Sequence, residues 1–162
     1  MREWPESVER VAAVLRASGV DARLEEFPAG TETAADAARA VGCERGQIVK
    51  SLVFVCDGLP VLALVPGDRR ADAERVAAAA AAGYARVAKV EEVVAATGFG
   101  PGAVAPFPVS PSARVLLDRT LLRHEIVWAG AGSERHVMGL APADLARLAQ
   151  AETAELCEPR LG

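Results

Sequence analysis

Lysine is nearly missing from this 162-residue chain: Lys50 and Lys89 stand against sixteen arginines, so arginine serves almost wherever positive charge is wanted. The formal net charge is −4, which argues against broad, non-specific nucleic-acid binding while leaving room for a local basic patch. Aromatics are scarce as well, with two tryptophans, one tyrosine and four phenylalanines. No apolar stretch approaches twenty residues, so no transmembrane helix is expected. The opening Met-Arg-Glu-Trp-Pro-Glu-Ser has no apolar core and does not read as a secretory signal. Cys43, Cys56 and Cys157 are odd in number and form no Cys-x-x-Cys pair, which suits a reducing cytoplasm, each reading as a small buried hydrophobe. His124 and His136 are too few for a usual histidine-rich metal site. Gly-x-Ser-x-Gly, His-Glu-x-x-His, the P-loop and a Gly-x-Gly-x-x-Gly after a strand are all missing, which removes the common nucleophile, zinc and nucleotide signatures.

What is present is a domain-sized chain, half hydrophobic, with thirty-four alanines. Pro5, Glu6 and Glu9 suit a first helical turn; Val8, Val11, Ala12 and Leu15 share a face, and Gly19 suits its end. Val20 to Phe27 reads as a strand. Thr33 with Asp36 resembles a capping box for a helix ending at Gly42. Ile48 to Cys56 reads as a buried strand, Asp57-Gly58 as a two-residue hairpin turn, and Pro60 to Val65 as its partner. Asp68 or Asp72 caps a helix to about Ala82, Val87 to Lys89 is extended, and Glu91 to Thr97 is a short helix stopped by Gly98. Arg114–Asp118, Glu125–Ala129 and Arg135–Leu140 read as strands, and Pro142 to about Gln150 as a closing helix. With no internal repeat and no linker, the pattern is one α+β or mixed α/β domain over residues 1–162.

Lys50 is the first candidate for chemistry. On the strand period of two it shares a face with Ile48, Leu52 and Phe54, where an ammonium is costly unless something polar or anionic meets it. It either snorkels to water from a strand end or serves a site. The second candidate is the stretch from Gly98 to Pro111, with three glycines and four prolines. Glycine admits close backbone approach and proline stiffens, so such a loop can present amides to a carbonyl or phosphate; an ordinary rigid surface loop is the alternative. Gly130 and Gly132 read as turn glycines that could line a pocket. Asp68 and Asp118 read as turn or cap residues.

Taken in order, several pieces resemble the YbaK/EbsC family of aminoacyl-tRNA deacylases, related to the editing domain inserted in bacterial prolyl-tRNA synthetases. They are Ala38-Arg-Ala-Val-Gly42, Gln47-Ile-Val-Lys-Ser-Leu-Val-Phe54, Leu62-Ala-Leu-Val-Pro-Gly-Asp-Arg69, Gly102-Ala-Val-Ala-Pro106, Val115-Leu-Leu-Asp118, and Ala131-Gly132 with Leu140-Ala-Pro-Ala-Asp-Leu145. The likeness covers roughly residues 30–150. It implies a mixed α/β fold with a central barrel-like sheet surrounded by helices, and a pocket for the aminoacylated acceptor end of a mischarged tRNA. It also implies ester hydrolysis without metal or other cofactor, and a synthetase as a further partner. By position, the essential lysine becomes Lys50 and the Gly-x-x-x-Pro loop Gly102 to Pro106. Ser51, Ala103, Pro106, Gly130, Gly132 and His136 are then expected around the substrate. Ser51 stands where some alanine-specific relatives carry asparagine, and Gly132-Ser-Glu-Arg-His136 departs from the Gly-x-Arg-Gly of the cysteine-specific type, so neither specificity is implied. An aminoacyl ester is already activated, so orientation and oxyanion stabilisation suffice, with water or a substrate hydroxyl as nucleophile. Two other classes remain open: binding of aminoacyl-tRNA or a synthetase without catalysis, and a Schiff-base lysine enzyme.

Overall fold

The computed structural model describes residues 4–31 and 33–159. Helix α1 (Glu6–Ser18) buries Val8, Val11, Ala12 and Leu15 and ends at a left-handed Gly19. Strand β1 (Ala22–Glu26) is shorter than the expected Val20–Phe27. Helix α2 (Ala34–Val41) is capped by the Thr33 hydroxyl, which accepts from the Asp36 amide, and ends at Gly42. A 3-10 turn at Arg45–Gln47, not expected from the sequence, leads into β2 (Ile48–Cys56). Asp57 (φ 49°) and Gly58 (φ 84°) both lie in the left-handed region, as a two-residue hairpin of the mirror-image kind requires, and deliver β3 (Leu59–Pro66).

Helix α3 (Ala73–Ala79) is capped by Asp72. It stops short of the expected Ala82, at a left-handed Ala81, because the Asp57 carboxylate takes the Gly83 and Tyr84 amides and pulls the chain into β4 (Ala85–Val87). The extended stretch therefore begins two residues before the expected Val87. Helix α4 (Val90–Thr97) ends at Gly98. Past the loop come β5 (Arg114–Asp118), a 3-10 turn at Arg119–Arg123, β6 (Val127–Gly130), β7 (His136–Leu140), α5 (Pro142–Ala149) and β8 (Glu152–Ala154).

The eight strands form one mixed sheet in the order β1-β7-β6-β2-β3-β5-β8, with β4 attached to β2. Parallel pairs join β2 to β6, β3 to β5 and β5 to β8; the others are antiparallel. This is the mixed α/β architecture expected, one sheet flanked by five helices. The β3 and β5 runs are buried on both faces, which explains their continuous apolar sequence. One face carries Val49, Val53, Leu62, Leu64 and Leu117 against α1, α5 and the loop. The other splits into two patches, Phe54, Ala63, Val65 and Leu116 under α3, and Ile48 with Trp128 under α2.

Candidate functional site

Strand β2 pairs along its whole length with β3, but its other edge is shared. Strand β6 takes only Ile48 and Val49, and β4 takes only Phe54 to Cys56. Between them, Lys50 to Val53 have no strand beside them on that edge; Val53 gives its carbonyl to the Ala88 amide. A cavity of about 490 Å³ opens at this gap. Lys50 and Ser51 line it from β2, Gly102 and Val104 from the loop, Gly130 from β6, and Arg45 from the 3-10 turn.

Lys50 stands between the two apolar patches of its face, with Ile48 on one side and Leu52 and Phe54 on the other. It is half-buried, and its Nζ donates to the Arg69 carbonyl at 2.7 Å. Burial lowers its pKa from the ordinary value; Arg45 and Arg70 push the same way, while Cys157 and Asp68 oppose. Burial also pushes the Cys157 thiol up to about 12, so at neutral pH that opposing charge is not developed. The ammonium therefore sits in a positive, partly dry environment with one carbonyl partner and donor capacity to spare. The Ser51 hydroxyl oxygen is buried and has no hydrogen-bond partner among the described residues. A buried hydroxyl without a partner is a costly arrangement that a ligand can relieve.

The loop owes its shape to a turn at Gly100-Pro101-Gly102-Ala103. The Ala103 amide donates to the Gly100 carbonyl at 3.0 Å, and Gly102 at φ 78° occupies the position of a type II turn that needs positive φ. Ala105 and Phe107 bury into the core and Pro106 is buried between them, so the loop is anchored beyond its cavity-facing portion. The Gly102 and Val104 amides make no hydrogen bond among the described residues. Gly130 lets the loop close on β6: a Cβ there would meet the Val104 carbonyl oxygen at 3.1 Å.

The structure thus brings Lys50, Ser51, Gly102 and Gly130 to one cavity, whereas Ala103, Pro106, Gly132 and His136 do not line it. Gly132 packs on α1 instead, where a Cβ would stand 2.5 Å from the Ser7 carbonyl oxygen. His136 is buried, its Nδ1 2.5 Å from the hydroxyl of Ser133, which lines the cavity, and its ring edge-on to Trp4. Arg45, Trp128 and Ser133 were not picked out by sequence; their only signal is position beside strand ends.

Comparison with known proteins identifies the family. Residues 28–148 match the aminoacyl-tRNA editing domain family. The uncharacterised protein YwhH of Bacillus subtilis (strain 168) is 32% identical over 124 residues, 75% of this chain and 78% of that protein. A proline–tRNA ligase of Streptococcus pyogenes serotype M18 is 29% identical over 143 residues, 88% of this chain, which spans only 23% of the ligase. A crystal structure provisionally described as a trans-editing enzyme for prolyl tRNA synthetase superposes with a TM-score of 0.88 at 38% identity, covering 97% of this chain and all of the other. The chain belongs to the aminoacyl-tRNA editing domain family.

Proposed function

We propose that the protein hydrolyses the ester of mischarged aminoacyl-tRNA in trans, with the acceptor end entering the cavity between β6 and β4. The observation that carries this is a cavity at one gap in β2 lined by Lys50, whose ammonium is partly desolvated, by Ser51, whose hydroxyl has no partner among the described residues, and by Gly102 and Val104, whose amides make no hydrogen bond among them. The Gly102 and Val104 amides receive the oxyanion that forms as a water, assisted by the ribose hydroxyl next to the ester, attacks the carbonyl carbon. The tetrahedral intermediate collapses by breaking the bond to the ribose oxygen, which leaves as a hydroxyl carrying the proton given up by the attacking water, and the amino acid departs with a free carboxylate. Lys50 stabilises the developing negative charge, and the Ser51 hydroxyl orients the ester. Ala103 and Pro106 hold the loop, and Gly130 gives it room; Gly132 and His136 support the rim from behind.

This reading makes the protein a cytoplasmic participant in translation, meeting tRNA and, through it, a synthetase. No helix among the described residues is long and apolar enough to cross a membrane. The test is release of amino acid from a panel of mischarged tRNAs. Turnover of at least one, abolished by Lys50→Ala, supports the proposal. Lys50-dependent binding without turnover of any would assign a binding module instead.

A further inference from the structure

Eight of the fourteen described arginines are ion-paired to a carboxylate, mostly on the exposed surface. The arginines beside Lys50 break this habit. Arg45 lines the cavity, and among the described residues its guanidinium has one polar contact, a long one of 3.4 Å to the Gly67 carbonyl. Arg70 is exposed and has no carboxylate partner among the described residues. Arg69 between them is committed to structure: its guanidinium donates to the Glu158 carbonyl at 2.7 Å, and its own carbonyl holds Lys50. Arg45 lines the same cavity as Lys50, and Arg70 directly follows the Arg69 carbonyl that receives the Lys50 ammonium; both repel that ammonium.

Gathering like charges around a half-buried ammonium raises the energy of the folded chain, the more so when net charge is −4 and carboxylates are plentiful. The acidic groups here do not cancel it. Asp68 packs beside Gly46 and is one charge against the three of Lys50, Arg45 and Arg70, Asp72 is used in capping α3 and faces Arg75, and Glu44 caps the 3-10 turn. An arrangement of this kind is relieved by an anion, and planar guanidinium forks match phosphate oxygens.

We propose that Arg45 and Arg70 form a phosphodiester-binding rim that grips the backbone of the last nucleotides of a single-stranded RNA end, beside the cavity that takes its aminoacyl ester. The inference rests on the editing reading above and adds to it where the RNA backbone runs, along the Arg45–Arg70 side and not across α1 or α5. Two phosphate contacts by side chains outside the ester site give modest affinity with a shallow salt dependence, as a net acidic chain requires. Because neither arginine carries an ion pair among the described residues, Arg70 is available as it stands and Arg45 gives up no more than its long contact with the Gly67 carbonyl.

The test is binding of an uncharged, fluorescently labelled single-stranded RNA ending in CCA to the full chain, measured by anisotropy over a range of salt concentrations. The Arg45→Gln/Arg70→Gln double variant should weaken binding and flatten the plot of log affinity against log salt by about 1.4, near 0.7 for each single-strand phosphate no longer neutralised. Arg147→Gln, which removes an exposed cation paired to Asp144, should leave the slope unchanged. A double variant that keeps the parent slope, or a parent with no salt dependence, overturns the proposal. Turnover of mischarged tRNA, measured separately, separates the two claims. A flattened slope without any parental turnover keeps the rim and sinks hydrolysis; turnover with an unaltered slope keeps hydrolysis and sinks the rim.

Discussion

The Lys50 ammonium and the Arg69 backbone carbonyl are joined by a 2.7 Å hydrogen bond, and the segment that bears this carbonyl is held by residues 156–158. The Arg69 guanidinium donates to the Glu158 carbonyl, the Glu158 amide to the Arg70 carbonyl, and the Asp72 amide to the Leu156 carbonyl. The buried Asp118 carboxylate in turn accepts from the Leu156 amide at 2.9 Å. Residues 156–158 lie beyond the stretch matched to the family, residues 28–148, yet they fix the group that orients Lys50. A side chain with four rotatable bonds keeps its head in one place only if something this rigid receives it.

Lys50→Ala should lower hydrolysis of the right mischarged tRNA by about 100-fold or more, the usual cost of one preorganised charge-stabilising group. Lys50→Arg should fail too, since a guanidinium is broader than the ammonium it replaces. Lys89→Ala should have little effect: Lys89 is exposed at the start of α4, where its amide already pairs with Glu92. Single-turnover deacylation rates for the three variants check this, and a parental rate in Lys50→Ala would remove Lys50 from the mechanism.

Ser51→Ala separates function from folding with opposite signs. The hydroxyl it deletes is buried without a partner among the described residues, so its loss should leave the stability unchanged or raise it by up to ~1 kcal/mol. Deacylation should nevertheless slow, through a higher KM or lower kcat. Urea denaturation and steady-state kinetics on one preparation decide it; a clearly destabilised variant would mean that the hydroxyl is satisfied in solution.

Gly102 and Gly132 should behave as opposites. Gly102→Val places a β-branched residue at φ 78° on the exposed side of a turn, costing a few kcal/mol at most while obstructing the amides, so activity should fall far more than stability. Gly102→Asn, which tolerates the left-handed region better, should recover the stability without the activity. Gly132→Ala meets the Ser7 carbonyl oxygen at 2.5 Å and φ 101°, so it should destabilise by about 2 kcal/mol or more and lose activity only in step with folding. Melting temperatures beside rates distinguish the two; a fully active Gly102→Val would show the loop to be an idle connector.

Cys157 and Lys50 predict the alkaline behaviour. The folded Cys157 thiol is pushed from 9.0 up to about 12 by burial, with Asp118 adding to it. Between those values the unfolded chain releases a proton that the folded chain keeps, so stability falls as pH rises. Lys50 has the opposite sign: its folded pKa is below 10.5, the unfolded chain holds the extra proton, and stability rises towards pH 10.5. Above 10.5 only the cysteine of the pair still acts. Urea midpoints from pH 10.5 to 12 should therefore fall less steeply in Cys157→Ala than in the parent, and parallel curves would contradict the assignment.

The amino-acid sequence by itself determined the pieces whose shape depends on near neighbours. Asp57-Gly58 can satisfy a two-residue turn with positive φ, so the β2–β3 hairpin was legible, as were the helix ends at Gly19, Gly42 and Gly98. The apolar run around Lys50 marked both a buried strand and its one awkward residue. Tertiary structure decided everything that needs distant segments to meet. Glu152-Thr-Ala carries no strand pattern and becomes β8 only because β5 offers an open edge to pair with. The cavity exists because β6 and β4 each cover one end of β2 and neither covers its middle, a division that no local pattern encodes. His136 and Gly132 do not line that cavity, while Arg45 does and Arg70 follows the carbonyl that holds Lys50. Their places follow from strand registry and from the packing of α1 and the C-terminal segment, since burial and like-charge proximity are properties of the assembled core and not of any stretch of chain.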